Sequence, residues 1–237
     1  MIDRPVLFSA PMIRAILSGR KTQTRRAVKP ATWNFARTPE FNTDAVTGRH
    51  EWLARKAGEP STFRWLNCPY GQPGDRLWVR ESHWFFQDEH DPLTGYTPPV
   101  LTTEDVEYRA DGESTRHGWR PSIHMPRWAS RIALNVTGVR VEKLQAISET
   151  DAQAEGVHGP EDDVANNLPN CPQCGGVGLY TAFNPATGGA LPDTDCERCD
   201  TPKKRFRLLW ESINGAESWE ANPWVWVVEF ERAKDPA

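Results

Sequence analysis

The stretch "RIALNVTGVRVEK" (Arg131–Lys143) is the clearest strand signal in the chain. Ile132, Leu134 and Val136 alternate with smaller or polar residues, and Val139 and Val141 continue the pattern after Gly138. A period of two places one row of aliphatic side chains on a single face, which predicts a half-buried β-strand. A second strongly β-prone run closes the chain, "PWVWVVEFER" (Pro223–Arg232), with both alternating and continuous apolar character. Working outward, "GDRLWVRES" (Gly74–Ser82) reads as a turn and a strand carrying Leu77 and Val79. Val106–Arg109 reads as a shorter strand, and Lys21–Val28 as an extended segment ending at Pro30. Met12, Ile13, Ala15, Ile16 and Leu17 form a helical stripe stopped at Gly19. "ISETDAQAEG" (Ile147–Gly156) predicts a short helix with Ser148 as N-cap, Asp151 three residues later and Gly156 as the close. Phe206, Leu209, Trp210 and Ile213 mark a further helical face ahead of Asn214-Gly215. The order predicts a single α+β domain over residues 1–237, built on a mostly antiparallel, barrel-like sheet with flanking helices. Trp210, Trp224 and Trp226 fall on apolar periodicities and are assigned to its core. Residues 31–73, rich in Pro, Asn, Thr and Gly, read as an irregular insertion, and residues 157–203 as a loop-like one.

At 237 residues the chain can bury one sizeable core. Its 38% hydrophobic and 25% charged residues are ordinary for a globular protein. No apolar run approaches the roughly 20 residues that span a bilayer. The opening "MIDRPVLFSAPMIRAIL" contains Asp3 and Arg14 and no continuous apolar region, so neither a signal peptide nor a membrane partner is expected, and a cytoplasmic location is. The formal net charge is −4, yet the charge is unevenly placed. Met1–Arg37 holds eight Lys or Arg and one acid, and Ser114–Val141 holds five arginines and none. Local positive surface on an acidic chain suggests a discrete anionic ligand such as a nucleotide or a short RNA, rather than wholesale coating of nucleic acid.

Cys171, Cys174, Cys196 and Cys199 form C-P-Q-C and C-E-R-C, with 21 residues between the pairs. Two such knuckles present four thiolates to one tetrahedral ion, at a spacing near that of zinc ribbons. Two disulfides are the competing reading, disfavoured in a chain without a secretory signal. Structural zinc is therefore expected, folding an insertion too poor in apolar residues to hold itself together. Four thiolates leave no open coordination position, so catalysis is not expected there. Cys68, in "NCPYGQPGD", reads as an ordinary buried or half-buried thiol.

The densest cationic patch is "SGRKTQTRR" (Ser18–Arg26). A threonine hydroxyl becomes a nucleophile only when a base takes its proton, and a lysine serves as base only when its pKa is depressed. Arg20, Arg25 and Arg26 flank Lys21 and would disfavour its charged form. A carboxylate is still needed, and the nearest acids in sequence are Asp3 and Glu40. Taken by itself, the run reads first as a solvated strand with phosphate-facing arginines.

The motifs "ILSGRKTQTRR", "GDRLWVRES", "VTGVRVEKLQAISETDAQAEG" and "WVWVVEF" resemble the ASCH domain, a PUA-related β-barrel superfamily linked to RNA. "LFSAPMIRAILSGRKTQTRR", "CPYGQPGDRLWVRE", "RPSIHMPRWASRI" and "NPWVWVVEF" are similar to the larger ASCH-type proteins of bacteriophages and prophages. The resemblance covers residues 6–28, 68–84, 105–156 and 205–232. It implies a PUA-like antiparallel barrel carrying a four-cysteine zinc-knuckle insertion. One branch of the superfamily comprises bacterial amidohydrolases that release acetate from N4-acetylcytidine, with a catalytic lysine and threonine in G-R-K-T-x-T and a glutamate in a later helix. That pattern falls on Lys21, Thr24 and Glu155, and implies Lys21 activating Thr24 while Glu155 handles protons at the leaving amine, with backbone N–H groups or Arg20 and Arg26 holding the oxyanion. Glu155 directly precedes Gly156 and reads equally as a solvated last-turn residue.

Other residues compete for the ligand. "RPSIHMPRWASR" combines His124, Arg127 and Trp128 between prolines. Stacking on Trp128 with phosphate contact from Arg127 would suit single-stranded RNA, whereas a core Trp128 and a structural His124 are the alternative. Glu81, at the end of "LWVRE", is placed at the barrel opening. The functional expectation is an amidohydrolase of an N4-acylated cytidine, as nucleoside or RNA base; the alternative is a non-catalytic RNA-binding or ribonuclease-like module.

Overall fold

The computed structural model describes residues 1–29, 40–43, 50–55, 63–85, 101–112, 118–157, 171–175 and 178–234. In chain order the elements are β1 (Asp3–Leu7), α1 (Ala10–Leu17), β2 (Gln23–Ala27), β3 (Glu40–Thr43), β4 (His50–Arg55), β5 (Phe63–Leu66), β6 (Arg76–Arg80), β7 (His83–Trp84), β8 (Glu107–Tyr108), β9 (Ala133–Lys143), α2 (Glu149–Ala154), β10 (Leu179–Phe183), β11 (Ala190–Asp195), α3 (Pro202–Asn214) and β12 (Trp224–Arg232). The principal sheet has five strands in the order β1-β6-β9-β12-β2. The two runs richest in β signal, β9 and β12, are neighbours and pair antiparallel over nearly their whole length, with one irregularity between Glu229 and Phe230.

β12 shows why its sequence is both alternating and continuous. Trp224, Trp226, Val228 and Phe230 enter a core with Phe8, Ile13, Ile16, Leu77 and Leu134. Val225 and Val227 enter a second core with Ile147, Ala152, Phe206, Trp210 and Trp219. A strand covered on both faces keeps apolar residues at every position. Trp210, Trp224 and Trp226 are all buried, as their periodicity predicts. Ile213 departs from its helical face and is 55% exposed, because it lies in the last turn of α3, beyond the packed part of the helix.

The α+β class holds, but the expected barrel does not close. Among the described residues, β1 and β2 remain the two sheet edges, with no ladder between them. β1 pairs with β6 in parallel, while the other three pairings in this sheet are antiparallel. Side chains bridge the gap instead: Arg26 of β2 donates to the Leu7 carbonyl of β1 at 2.6 Å, and Phe8 meets Phe230 at 6.1 Å between ring centroids.

Both insertions contain strands that composition conceals. Within 31–73, β3, β4 and β5 form a three-stranded antiparallel sheet. Its strands are four to six residues long, too short for alternation to stand out between turn-forming residues. Within 157–203, β10 and β11 form a hairpin. Within these two segments, residues 31–39, 44–49, 56–62, 158–170 and 176–177 lie outside the described residues.

Candidate functional site

Lys21 sits at the junction of three elements. α1 ends at Ser18, and Gly19, with φ at +74°, turns the chain back across the helix. The Lys21 and Thr22 amides then bond to the Ala15 carbonyl (3.0 Å) and the Ala154 carbonyl (2.9 Å). Lys21 thereby forms an isolated antiparallel bridge with Glu155, 134 residues away. The Glu155 side of the bridge is set by α2. Ser148 and Asp151 form a reciprocal capping box at its start, as the sequence predicts, and Glu155 caps its end. Gly156 follows with φ at +86°, and a Cβ there would stand 3.0 Å from Ala15 and 3.1 Å from Lys21. Only glycine suits both that backbone and that close approach.

The side chains complete the link. Lys21 Nζ donates to Glu155 Oε2 at 2.9 Å and to the Glu155 carbonyl at 2.8 Å. Lys21 is 2% exposed and Glu155 4%, so Glu155 is not a solvated last-turn residue. Burial pulls the Lys21 pKa below its ordinary value; Glu155 pulls it back up, and Arg26 and Arg25 push it down again. Arg20 Nε donates to Ser18 Oγ at 2.9 Å.

Arg25 is the member of the cluster that sequence reasoning treats only as a flanking cation. Its guanidinium reaches Glu155 Oε1 at 3.3 Å, Asp151 Oδ2 at 3.2 Å and, through Nε, Glu142 Oε1 at 3.2 Å. Arg140 extends the network to Glu142 (3.2 Å), Asp151 (3.1 Å) and Glu229. Burial opposes ionisation of Asp151, but Arg25, Ser148 and Arg140 outweigh it and hold that carboxyl below its usual range. The signal was the strand period: Gln23 and Arg25 share a face of β2, as Arg140 and Glu142 share one of β9.

A small pocket, open to solvent and enclosing about 50 Å³, runs beside the free edge of β2. Thr24, Arg25, Arg26 and Glu155 form its polar wall; Phe206, Trp210 and their neighbours on α3 form the opposite one. Thr24 is 3% exposed, and among the described residues its hydroxyl has no hydrogen-bond partner. Lys21 is not on the wall and stands behind Glu155.

The remaining candidates are not on the walls of this pocket. Glu81 is buried at 2% exposure and gripped at both oxygens by Arg131, at 2.9 and 3.1 Å. His124 is exposed, and Arg127 is half-buried and paired with Asp3 at 2.8 Å. Trp128 is no core residue: it is 40% exposed, with its ring edge-on to Phe85.

The four cysteines of the knuckles converge. Their sulfurs all lie within 4.8 Å of one another, with Cys171–Cys196 at 3.6 Å and Cys174–Cys199 at 3.3 Å. At these separations none of the four forms a disulfide. Four thiolates around a tetrahedral ion with bonds of about 2.3 Å would stand about 3.8 Å apart, so the donor set can hold one metal ion with little movement. Cys68 is a separate half-buried thiol, pushed up to about 12 chiefly by burial.

No protein-family model, curated protein or solved structure matches the chain. No helix among the described residues is long and apolar enough to cross a membrane.

Proposed function

We propose that the chain is an ASCH-like amidohydrolase that removes the acyl group from the exocyclic amine of an N4-acylated cytidine, with zinc at the four cysteines. One observation carries the reading: Thr24 and Glu155 line the same pocket, and Glu155 is hydrogen-bonded to the buried Lys21. The pocket is lined by aromatic side chains of α3 and by charged hydrogen-bonding groups, the kinds of contact a nucleobase takes.

In this reading substrate binding brings Thr24 and Lys21, which are not hydrogen-bonded to each other, into reach. Lys21, with its charged form disfavoured, then takes the Thr24 proton as Thr24 Oγ bonds to the acyl carbon. The proton passes from Lys21 to Glu155 across their 2.9 Å hydrogen bond and on to the departing nitrogen as the C–N bond breaks. Water then attacks the acyl-threonine. Glu155 takes its proton, the carboxylic acid product leaves, and Thr24 recovers its own proton through Lys21. In this reading Arg26, which lines the pocket, stabilises the oxyanion. Incubating the purified protein with N4-acetylcytidine tests the reading: acetate release is expected, and none would remove it for the free nucleoside. Metal analysis should find one zinc per chain.

A second reading rests on a different surface. Arg80 and Arg127 both lie on the Trp78 ring, at 4.9 and 5.6 Å from its centroid, and exposed Trp128 stands nearby against Phe85. Cations interleaved with aromatics suit single-stranded RNA. Salt-sensitive RNA binding that ignores Thr24→Val would favour a binding module without turnover.

A further inference from the structure

We infer that the four-cysteine metal centre is the anchor of the pocket's helical wall, so that metal occupancy and ligand binding at the pocket are coupled. The coupling runs through α3. Its first residue, Pro202, comes three residues after Cys199, and its N-cap Thr201 accepts from the Lys204 amide at 3.3 Å. Lys204 folds back onto the second knuckle, donating to the Glu197 carbonyl and the Asp200 carboxylate, both at 2.7 Å. One turn further on, Leu208 packs against the sulfurs together with Tyr180. The same helix presents Phe206, Leu209 and Trp210 to the pocket. α3 therefore touches the thiolate cluster through one side chain and the ligand site through its immediate neighbours in sequence.

The catalytic side of the pocket hangs on the same turn. The Lys203 amide donates to Glu149 Oε2 at 2.8 Å, and Lys203 Nζ to the Gln145 carbonyl at 2.9 Å. Glu149 opens α2, the helix that Glu155 caps. Among the described residues, little else secures the knuckle. Its hairpin strands are largely exposed, with Phe183 at 70% and Leu191 at 46%, and its apolar cluster consists of the cysteines, Tyr180 and Leu208. One structural zinc on four thiolates supplies far more folding free energy than so small a cluster can. Metal loss thus frees the start of α3, and with it both walls of the pocket.

The inference needs the pocket but not its hydrolytic activity, and its test requires no turnover. Hydrogen exchange is followed by mass spectrometry in metal-loaded and chelator-stripped protein, with cytidine binding measured calorimetrically on both. Stripping is expected to raise exchange in residues 202–214 and 149–157 together, to leave 133–143 and 224–232 protected, and to weaken cytidine binding at least tenfold. Exchange that rises only in 171–199 would overturn the inference, as would protein purified without metal. If stripping unfolds the sheet as well, Leu208→Ala decides. This variant keeps all four thiolates and one metal per chain; faster exchange in 202–214 with weaker cytidine binding supports the coupling, and unchanged exchange overturns it.

Discussion

Glu155 and Glu81 are both buried carboxylates held by cations, but they are held in different ways. Glu81 is served by a single guanidinium at both oxygens, and the Tyr108 ring covers that guanidinium at 3.8 Å. Asp111 engages Arg131 from the outside at 2.7 Å. Burial pushes the Glu81 pKa up against the pull of Arg131, but arginine does not release its proton, so the pair has nothing to transfer. Glu155 divides its oxygens between Arg25 and a lysine whose charged form burial disfavours, and a pocket opens beside it. Under the proposed function, the same type of ion pair serves as a brace where its cation is permanent and as a proton relay where its cation can let go.

The largest expected effect tests that division directly. Lys21→Met and Thr24→Val should each lower hydrolysis of N4-acetylcytidine by about 10²–10⁴-fold, while Glu81→Gln leaves the rate within a factor of about three. Equal losses in all three variants, measured by acetate release, would erase the distinction between the sites. Stability should rank the other way. Arg131→Met strands Glu81 without a cation and should cost about 3–5 kcal/mol in urea unfolding. Lys21→Met leaves Arg25 on Glu155 Oε1 and should cost clearly less, about 1–3 kcal/mol. A reversed order would show that Arg25 does not share the load.

How much of this was legible follows from the range of each signal. β9, β12 and the capping box of α2 depend on residues a few positions apart, and they stand where periodicity puts them. Barrel closure depends on whether two edge strands meet, which no local pattern encodes, and the edges here join through Arg26 rather than a ladder. The Lys21–Glu155 pairing spans 134 residues, and only the resemblance brought the two together on paper. Arg25 escaped because a charged residue in a basic run reads as surface, whereas its strand face turns it inward among three carboxylates. "RPSIHMPRW" has the composition of a binding loop and folds as two short 3₁₀ turns that do not contribute to the pocket's walls.

Gly156 offers a smaller perturbation of the relay alone. Gly156→Ala forces a side chain into a backbone at φ +86° and to within 3.1 Å of Lys21. A cost of about 1–3 kcal/mol is expected, from backbone strain and the crowded contact. Hydrolysis should fall with it, since the contact displaces the lysine; unchanged kinetics would show that the relay tolerates a shifted Lys21. The corresponding glycine on the bracing side, Gly112, has extended backbone at φ 164° and open space around it. Gly112→Ala should leave stability unchanged.

The smallest effect is a displacement of the pH profile, and its sign follows from which form of Lys21 works. The free amine is the base, so kcat/KM should rise with pH as Lys21 deprotonates. Burial sets that limb below the ordinary lysine value of 10.5, with Arg26 and Arg25 adding to the depression. Removing a neighbouring cation makes the ammonium easier to keep, which raises the Lys21 pKa. Arg25→Gln should therefore move the rising limb to higher pH, by less than about one unit, because burial remains the larger cause. Arg131→Gln, a charge removal of the same size around the other carboxylate, should leave the limb in place. A profile that moves with Arg131 and not with Arg25 would mean that the titrating group belongs to the brace, and the assignment of relay and brace would have to be exchanged.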